Sequence, residues 1–191
     1  MAAVIAITGG MGAGKSTVVR HLVDLLPRAV AVHEDEHQSM TRWSAEEVRR
    51  WREAGADVGQ LPLEGLPDHL ATLRAGGAGQ PVTVVLESQF GRHHPALAPL
   101  VDFQIWLAVP VDVALARRIA QLAGEPVDDA AGRLAWIARM SRAYAEWTAP
   151  LVHRQLAAVP AASDAVVSGE APVSAVVDDC LAAIARFRGE T

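Results

Sequence analysis

The chain holds one lysine, one cysteine and one tyrosine among 191 residues, and aromatic side chains make up only 5%. A single cysteine excludes a disulfide framework and a cysteine zinc site. Cys180 lies in an apolar pattern and reads as a buried structural thiol. Although 51% of the residues are hydrophobic, no apolar run approaches the roughly 18 residues of a membrane helix, so no membrane partner is expected. A basic tract is also missing. Arg49, Arg50 and Arg52 alternate with Glu46, Glu47 and Glu53 as on a solvated helix face, and the formal net charge is −5. That balance argues against nucleic acid as a partner, since it rewards a basic surface. Met1 leads straight into an apolar strand with no room for a secretory signal, so the chain reads as cytoplasmic. The length suits one α/β domain, 1–191, and shows no repeat or low-complexity tail.

What is present centres on the one lysine. The octapeptide GGMGAGKS at Gly9–Ser16 follows the apolar run Val4-Ile5-Ala6-Ile7 and opens a helical pattern over Thr17–Leu26. Strand, glycine-rich loop and helix in that order form a phosphate-binding loop. Gly10, Met11, Gly12, Ala13, Gly14, Lys15, Ser16 and Thr17 would supply converging backbone N–H groups. Lys15 would add a point charge for the outer phosphates of ATP, and the Ser16 hydroxyl a ligand for Mg²⁺. The plain alternative is a glycine-rich turn that binds nothing.

Short β-branched runs alternate with helical patterns, the signature of parallel βαβ units. Strands are expected at Val4–Ile7, Ala29–His33, Val82–Glu87, Phe103–Ala108 and Ala165–Ser168. Helices are expected at Lys15–Leu26, Ser44–Ala54, Leu66–Ala75, Val111–Leu122, Ala130–Ala157 and Val173–Phe187. Ser44 with Glu47 three residues on matches a capping box. Gly76–Gln80 and Gly124-Glu125-Pro126 read as connectors. Trp106, Trp136 and Trp147 are expected in the core.

Parallel sheets bind ligands at the carboxyl ends of their strands. Acidic residues collect there: His33-Glu34-Asp35-Glu36-His37 after the second strand and Glu87-Ser88-Gln89 after the third. Carboxylates facing phosphate make sense with Mg²⁺ between them, or where one must accept a proton. Asp35 is thus either a catalytic carboxylate or a turn residue, and Glu87 either faces the cleft or caps the next loop. His37, His93 and His94 lack the spacing of zinc ligands, which leaves substrate contact or exposure. Trp43 and Trp51 either wall an acceptor pocket or pack in the core.

Several segments, in order, resemble the uridine kinase and nicotinamide riboside kinase group of P-loop small-molecule kinases. VAVHEDEHQS at Val30–Ser39 is similar to that group's second strand and acidic motif, with Asp35 at the place of the catalytic carboxylate. Trp51–Asp57 resembles a contracted form of the segment whose last aspartate holds ribose hydroxyls, which points to Asp57. VVLESQF at Val84–Phe90 and the stretch Val101–Ile119 resemble the third and fourth strands. Arg117 and Arg118 stand where the family has arginines ahead of its lid. Tyr144–Pro150 and Ser163–Val167 resemble the family's ending.

The resemblance implies a P-loop NTPase fold with a five-stranded parallel sheet in the order 2-3-1-4-5, helices on both faces, an acceptor-binding segment near 38–80 and a short lid near 118–132. It also implies an ATP- and Mg²⁺-dependent kinase. Lys15, Asp35, Glu87, Arg117 and Arg118 would be catalytic; Ser16, Asp35 and Glu87 would hold the metal. Asp35, His37, Trp51, Asp57, Glu87 and Arg92 would contact a nucleoside-like hydroxyl acceptor. The chain departs from the family in Glu36-His37, where aromatics usually follow the aspartate, and in a missing hairpin near Gly76–Gln80. A non-nucleoside acceptor, or a nucleotide-binding regulatory module without turnover, therefore stays open. A homo-oligomer is compatible with the sequence.

Overall fold

The computed structural model describes residues 1–38, 43–77, 79, 81–124 and 129–190. Parts of the connectors at Gly76–Gln80 and Gly124–Pro126, and the middle of the expected lid, lie outside the described residues, as does the Trp147 side chain. Five strands, β1 (Ala3–Thr8), β2 (Ala29–His33), β3 (Thr83–Ser88), β4 (Phe103–Ala108) and β5 (Ala165–Ser168), make one parallel sheet in the order β2-β3-β1-β4-β5. This is the expected order.

The sheet's two faces follow from side-chain alternation along each strand. Ile5, Ile7, Val85, Ile105 and Leu107 face α1 (Lys15–Leu25) and α7 (Val173–Arg188), which contribute Val18, Val19, Leu22, Val177, Cys180 and Ile184. Val4, Ala6, Val32, Val84 and Leu86 face the other way, against Leu66 and Leu70 of α3 (Leu66–Ala75) and Leu97 and Val101 of the segment between β3 and β4. Burial pushes the Cys180 thiol up to about 12, consistent with an inert core residue.

A third cluster lies off the sheet. Trp51 of α2 (Ala45–Glu53) packs with Ala56 and Leu61, against Trp43, Phe90 and Leu151. The α2 helix starts as expected: the Ser44 hydroxyl accepts the Glu47 N–H, and the Glu47 carboxylate accepts the Ser44 N–H at 2.6 Å. Arg49 pairs with Glu46 and Glu53 along its exposed face.

The expected single helix over Ala130–Ala157 is in fact two. After α4 (Val111–Gly124), α5 (Ala130–Ala143) gives way to a π-helical turn at Tyr144–Thr148 before α6 (Ala149–Ala158). Pro150, in the first turn of α6, has no N–H to continue the α-helical ladder, so the chain widens just before it. Trp136 is 41% exposed rather than core, while Trp106 is 2% exposed as expected. No helix among the described residues is long and apolar enough to cross a membrane.

Candidate active site

The loop between β1 and α1 passes over the carboxyl end of the central strand. Gly14 caps α1 with φ 90°, and α1 has neither a side-chain cap nor an acidic residue in its first turn. Its leading N–H groups thus have no side-chain cap among the described residues, the arrangement that binds anions. Gly12 has φ 81°, and a Cβ there would lie 2.0 Å from the Ala114 carbonyl oxygen of α4. Gly12→Val should destabilise the protein by about 1–3 kcal/mol from backbone strain, and displace α4 as well. Urea denaturation alongside a nucleotide titration checks this, with both the midpoint and the affinity expected to fall.

Lys15 folds back so that Nζ donates to the Gly10 carbonyl at 3.1 Å. Burial lowers its pKa, while Glu87, Asp35 and Glu34 act in the opposite direction and Arg118 adds to the lowering. One ammonium thus sits among three carboxylates and a guanidinium. Glu87 ties β3 to α1 and to β2: Oε1 accepts from the Ser16 hydroxyl at 2.6 Å, and Oε2 lies 2.7 Å from Nδ1 of His33. The pairing follows from register, because His33 and Glu87 are opposite each other in β2 and β3. Glu87 faces the cleft, the first of its two expected alternatives. A carboxylate and a hydroxyl meeting there suit Mg²⁺, a hard cation that takes one or two carboxylates and leaves the remaining positions to water and phosphate.

Asp35 lies on the 3₁₀ turn Glu34–Glu36, exposed and in electrostatic reach of Lys15. The neighbouring Glu34 is 2% exposed, and burial raises its pKa. Its carboxylate accepts from the Ser88 hydroxyl and from Gln38 Nε2 at 2.6 Å. Sequence reasoning passed over Glu34, His33, Gln38 and Ser88. The available signal was the period of two, which turns Glu34 and Ser88 to the face opposite His33 and Glu87.

Other expected contacts are engaged elsewhere. Trp51 is 7% exposed, and its Nε1 donates to the Asp57 carbonyl at 2.8 Å. The Asp57 carboxylate accepts the Gly59 N–H at 2.9 Å, capping the turn Val58–Gln60. Arg92 pairs with Asp164 at the start of β5, and its backbone N–H donates to Gln104 Oε1 at 2.7 Å. These three residues serve packing, a turn and the sheet in this structure, because each side chain has a nearer partner than the cleft. His37 donates through Nδ1 to the Glu64 carbonyl at 2.8 Å. His94 is buried and bonded through both ring nitrogens, to the Leu61 carbonyl and the Ala96 N–H, which leaves no nitrogen for a metal or substrate.

The two lid-side arginines separate. Arg117 donates to the Gly169 carbonyl at 2.8 Å, tying α4 to the loop after β5. Arg118 meets Gln121 at 3.0 Å and is the one whose charge reaches Lys15. Beside the loop, a shallow apolar groove is walled by Met11, Ala13, Val109, Leu115, Tyr144 and Val152, among others.

No protein-family model and no curated protein matches the chain. Solved structures do. A shikimate kinase from Aquifex aeolicus superposes over 98% of this chain and 99% of its own, with 20% identity and a TM-score of 0.52. A gluconokinase from Sinorhizobium meliloti covers 97% and 93%, with 16% identity and a TM-score of 0.51. A possible uridine kinase from Bacillus stearothermophilus overlaps 61% of this chain and 76% of its own, with 16% identity and a TM-score of 0.45, too loose a fit to bear on the fold. With the strand order and the loop geometry, the first two likenesses establish that this chain has the P-loop kinase fold along nearly its whole length.

Proposed function

We propose that the protein is an ATP-dependent phosphotransferase that passes the γ-phosphoryl group to a hydroxyl of a nucleoside-like small molecule. The observation that carries this reading is the convergence of Lys15, Ser16, Glu87 and Asp35 at the mouth of the loop. Phosphoryl transfer needs alignment and charge neutralisation more than covalent help. Lys15 and the loop amides would hold the donor phosphates, and Ser16 with Glu87 would hold Mg²⁺, Asp35 reaching it directly or through water. The metal, when bound, supplies neutralisation of the phosphate charge. Asp35 would orient the acceptor hydroxyl and take its proton late in a loose transition state, where position counts for more than basicity.

A kinase of a non-nucleoside metabolite is a second reading. It draws support from Trp51 and Asp57, the residues expected on a nucleoside, being committed to each other and to Gly59.

An ADP-release screen across nucleosides, sugars and vitamin-like alcohols, with Mg·ATP, tests both. Release above the acceptor-free rate with one class supports a kinase and names the class; nucleotide binding without release from any would leave a regulatory module. Within this reading, Arg118→Ala should lower kcat by roughly 10- to 100-fold, as loss of a charge donor near the transferred group does. Arg117→Ala should act mainly on nucleotide affinity, through the loop that Gly169 belongs to. Steady-state kinetics and a nucleotide titration separate the two, and equal effects would remove the distinction.

A further inference from the structure

We infer that Glu34 is the positioning residue that sets where Asp35 stands relative to Glu87, a role that rests on the phosphotransferase reading above. Strands β2 and β3 run in register as far as His33 and Glu87. One residue further on, the side chains of Glu34 and Ser88 emerge on the α3 side, above Val32 and Leu86. A carboxyl group buried against that apolar layer carries a desolvation cost of several kcal/mol when ionised, and replacing the acid together with its donors by apolar side chains of similar volume would often be as stable or more so. Stability therefore gives no reason for an acid at this position, but geometry does.

Both oxygens of Glu34 are used, by Ser88 and by Gln38, and the Gln89 backbone beside Ser88 is a further partner. One accepts from Ser88, whose hydroxyl oxygen in turn receives the Gly91 N–H at 2.7 Å and the Phe90 N–H at 3.2 Å. The other accepts from Gln38, the residue bridged to Leu63 ahead of α3. The carboxyl thus fastens the turn after β2 to the loop after β3 and to the approach to α3. Asp35, between the two anchored residues, has no side-chain hydrogen bond among the described residues. Its place is set by the backbone of its own turn, and that turn is fixed by Glu34. Glu87, next to Ser88, is fixed from the other side by Ser16 and His33. A single buried carboxyl therefore couples the acceptor-side carboxylate to the metal-side one.

The test compares wild type, Glu34→Met and Glu34→Gln, using Mg·ATP and the acceptor found by the ADP-release screen. Methionine fills the volume without an acceptor atom; glutamine keeps one, and Gln38 can turn its amide to complement it. Expected for Glu34→Met are a melting temperature lowered by a few degrees, since the Ser88 hydroxyl and the Gln38 amide lose their acceptor, Mg·ATP affinity and acceptor KM within about threefold, and kcat down about 30- to 100-fold, as misplacement of a reacting group produces. Glu34→Gln should recover kcat to within about fivefold of wild type. Full kcat in Glu34→Met, or no recovery in Glu34→Gln, overturns the inference. Should Glu34→Met fail to fold, Ser88→Ala carries the same expectations and the same refutation. Amide exchange supplies a readout independent of turnover. The amides of 35–38 and Gly91 should exchange about tenfold faster in Glu34→Met, with those of Val18–Leu22 unchanged; unaltered exchange at 35–38 refutes the role. Wild type that binds Mg·ATP yet releases ADP with no acceptor instead refutes the phosphotransferase reading, and exchange still decides the positioning of Asp35.

Discussion

Replacement of Lys15 by alanine is expected to lower turnover by two to three orders of magnitude, about 3–4 kcal/mol of transition-state stabilisation, the loss seen when one preorganised charge donor leaves a water-poor site. Its Nζ already rests 3.1 Å from the Gly10 carbonyl, so the loop itself sets where the charge is delivered. Burial makes that charge costly, and Glu87, Asp35 and Glu34 work to keep it. With lysine at no other position in the chain, no neighbouring ammonium can take over. Lys15→Arg retains the charge but replaces a compact ammonium with a planar fork, and should recover little. Steady-state kinetics with a parallel nucleotide titration check both variants; unchanged turnover in the alanine variant would exclude the loop from the chemistry.

Asp35→Asn should reduce transfer by about 10²- to 10⁴-fold, the range for loss of a general base, while Mg·ATP affinity stays within a few-fold. Asp35 is exposed, at the mouth rather than in the cradle, so the substitution should alter stability by no more than about 0.5 kcal/mol. The loss in rate can then be read as a loss of function and not of folded protein. A matching drop in nucleotide binding would assign Asp35 to the metal instead.

Much of this architecture was legible in the residues. The phosphate loop, the strands and helices and the Ser44–Glu47 cap follow from local patterns of period two, period 3.6 and capping chemistry, which act over a few residues, while the strand order was an expectation carried by the family resemblance. What was not legible depends on partners far away in sequence. Asp57 and Trp51 bear the spacing of a ligand contact, yet the indole N–H finds the Asp57 carbonyl and the carboxylate finds the Gly59 N–H. Arg92 meets Asp164, 72 positions away, and no periodicity announces such a pairing. Glu34 was hidden by its neighbours: in the run of five ionisable residues at 33–37, only the period of two carried on from the strand shows which one turns inward. Trp136 misled in the opposite sense, because a tryptophan on a helix is buried only if another layer covers that face, and α5 leaves it 41% exposed.

The packing of α1 against α7 has a consequence for biosynthesis. Val18, Val19 and Leu22, on the helix that carries the phosphate loop, are covered by Val177, Cys180 and Ile184, translated long afterwards. Domains consolidate only when their long-range contacts can close. On the ribosome, the nucleotide cradle emerges well before the helix that covers it from behind. Nascent chains stalled before α7 would present a bare apolar stripe behind the loop, a surface for chaperones to shield. Truncation ahead of α7 would weaken nucleotide binding without touching any residue in the cleft.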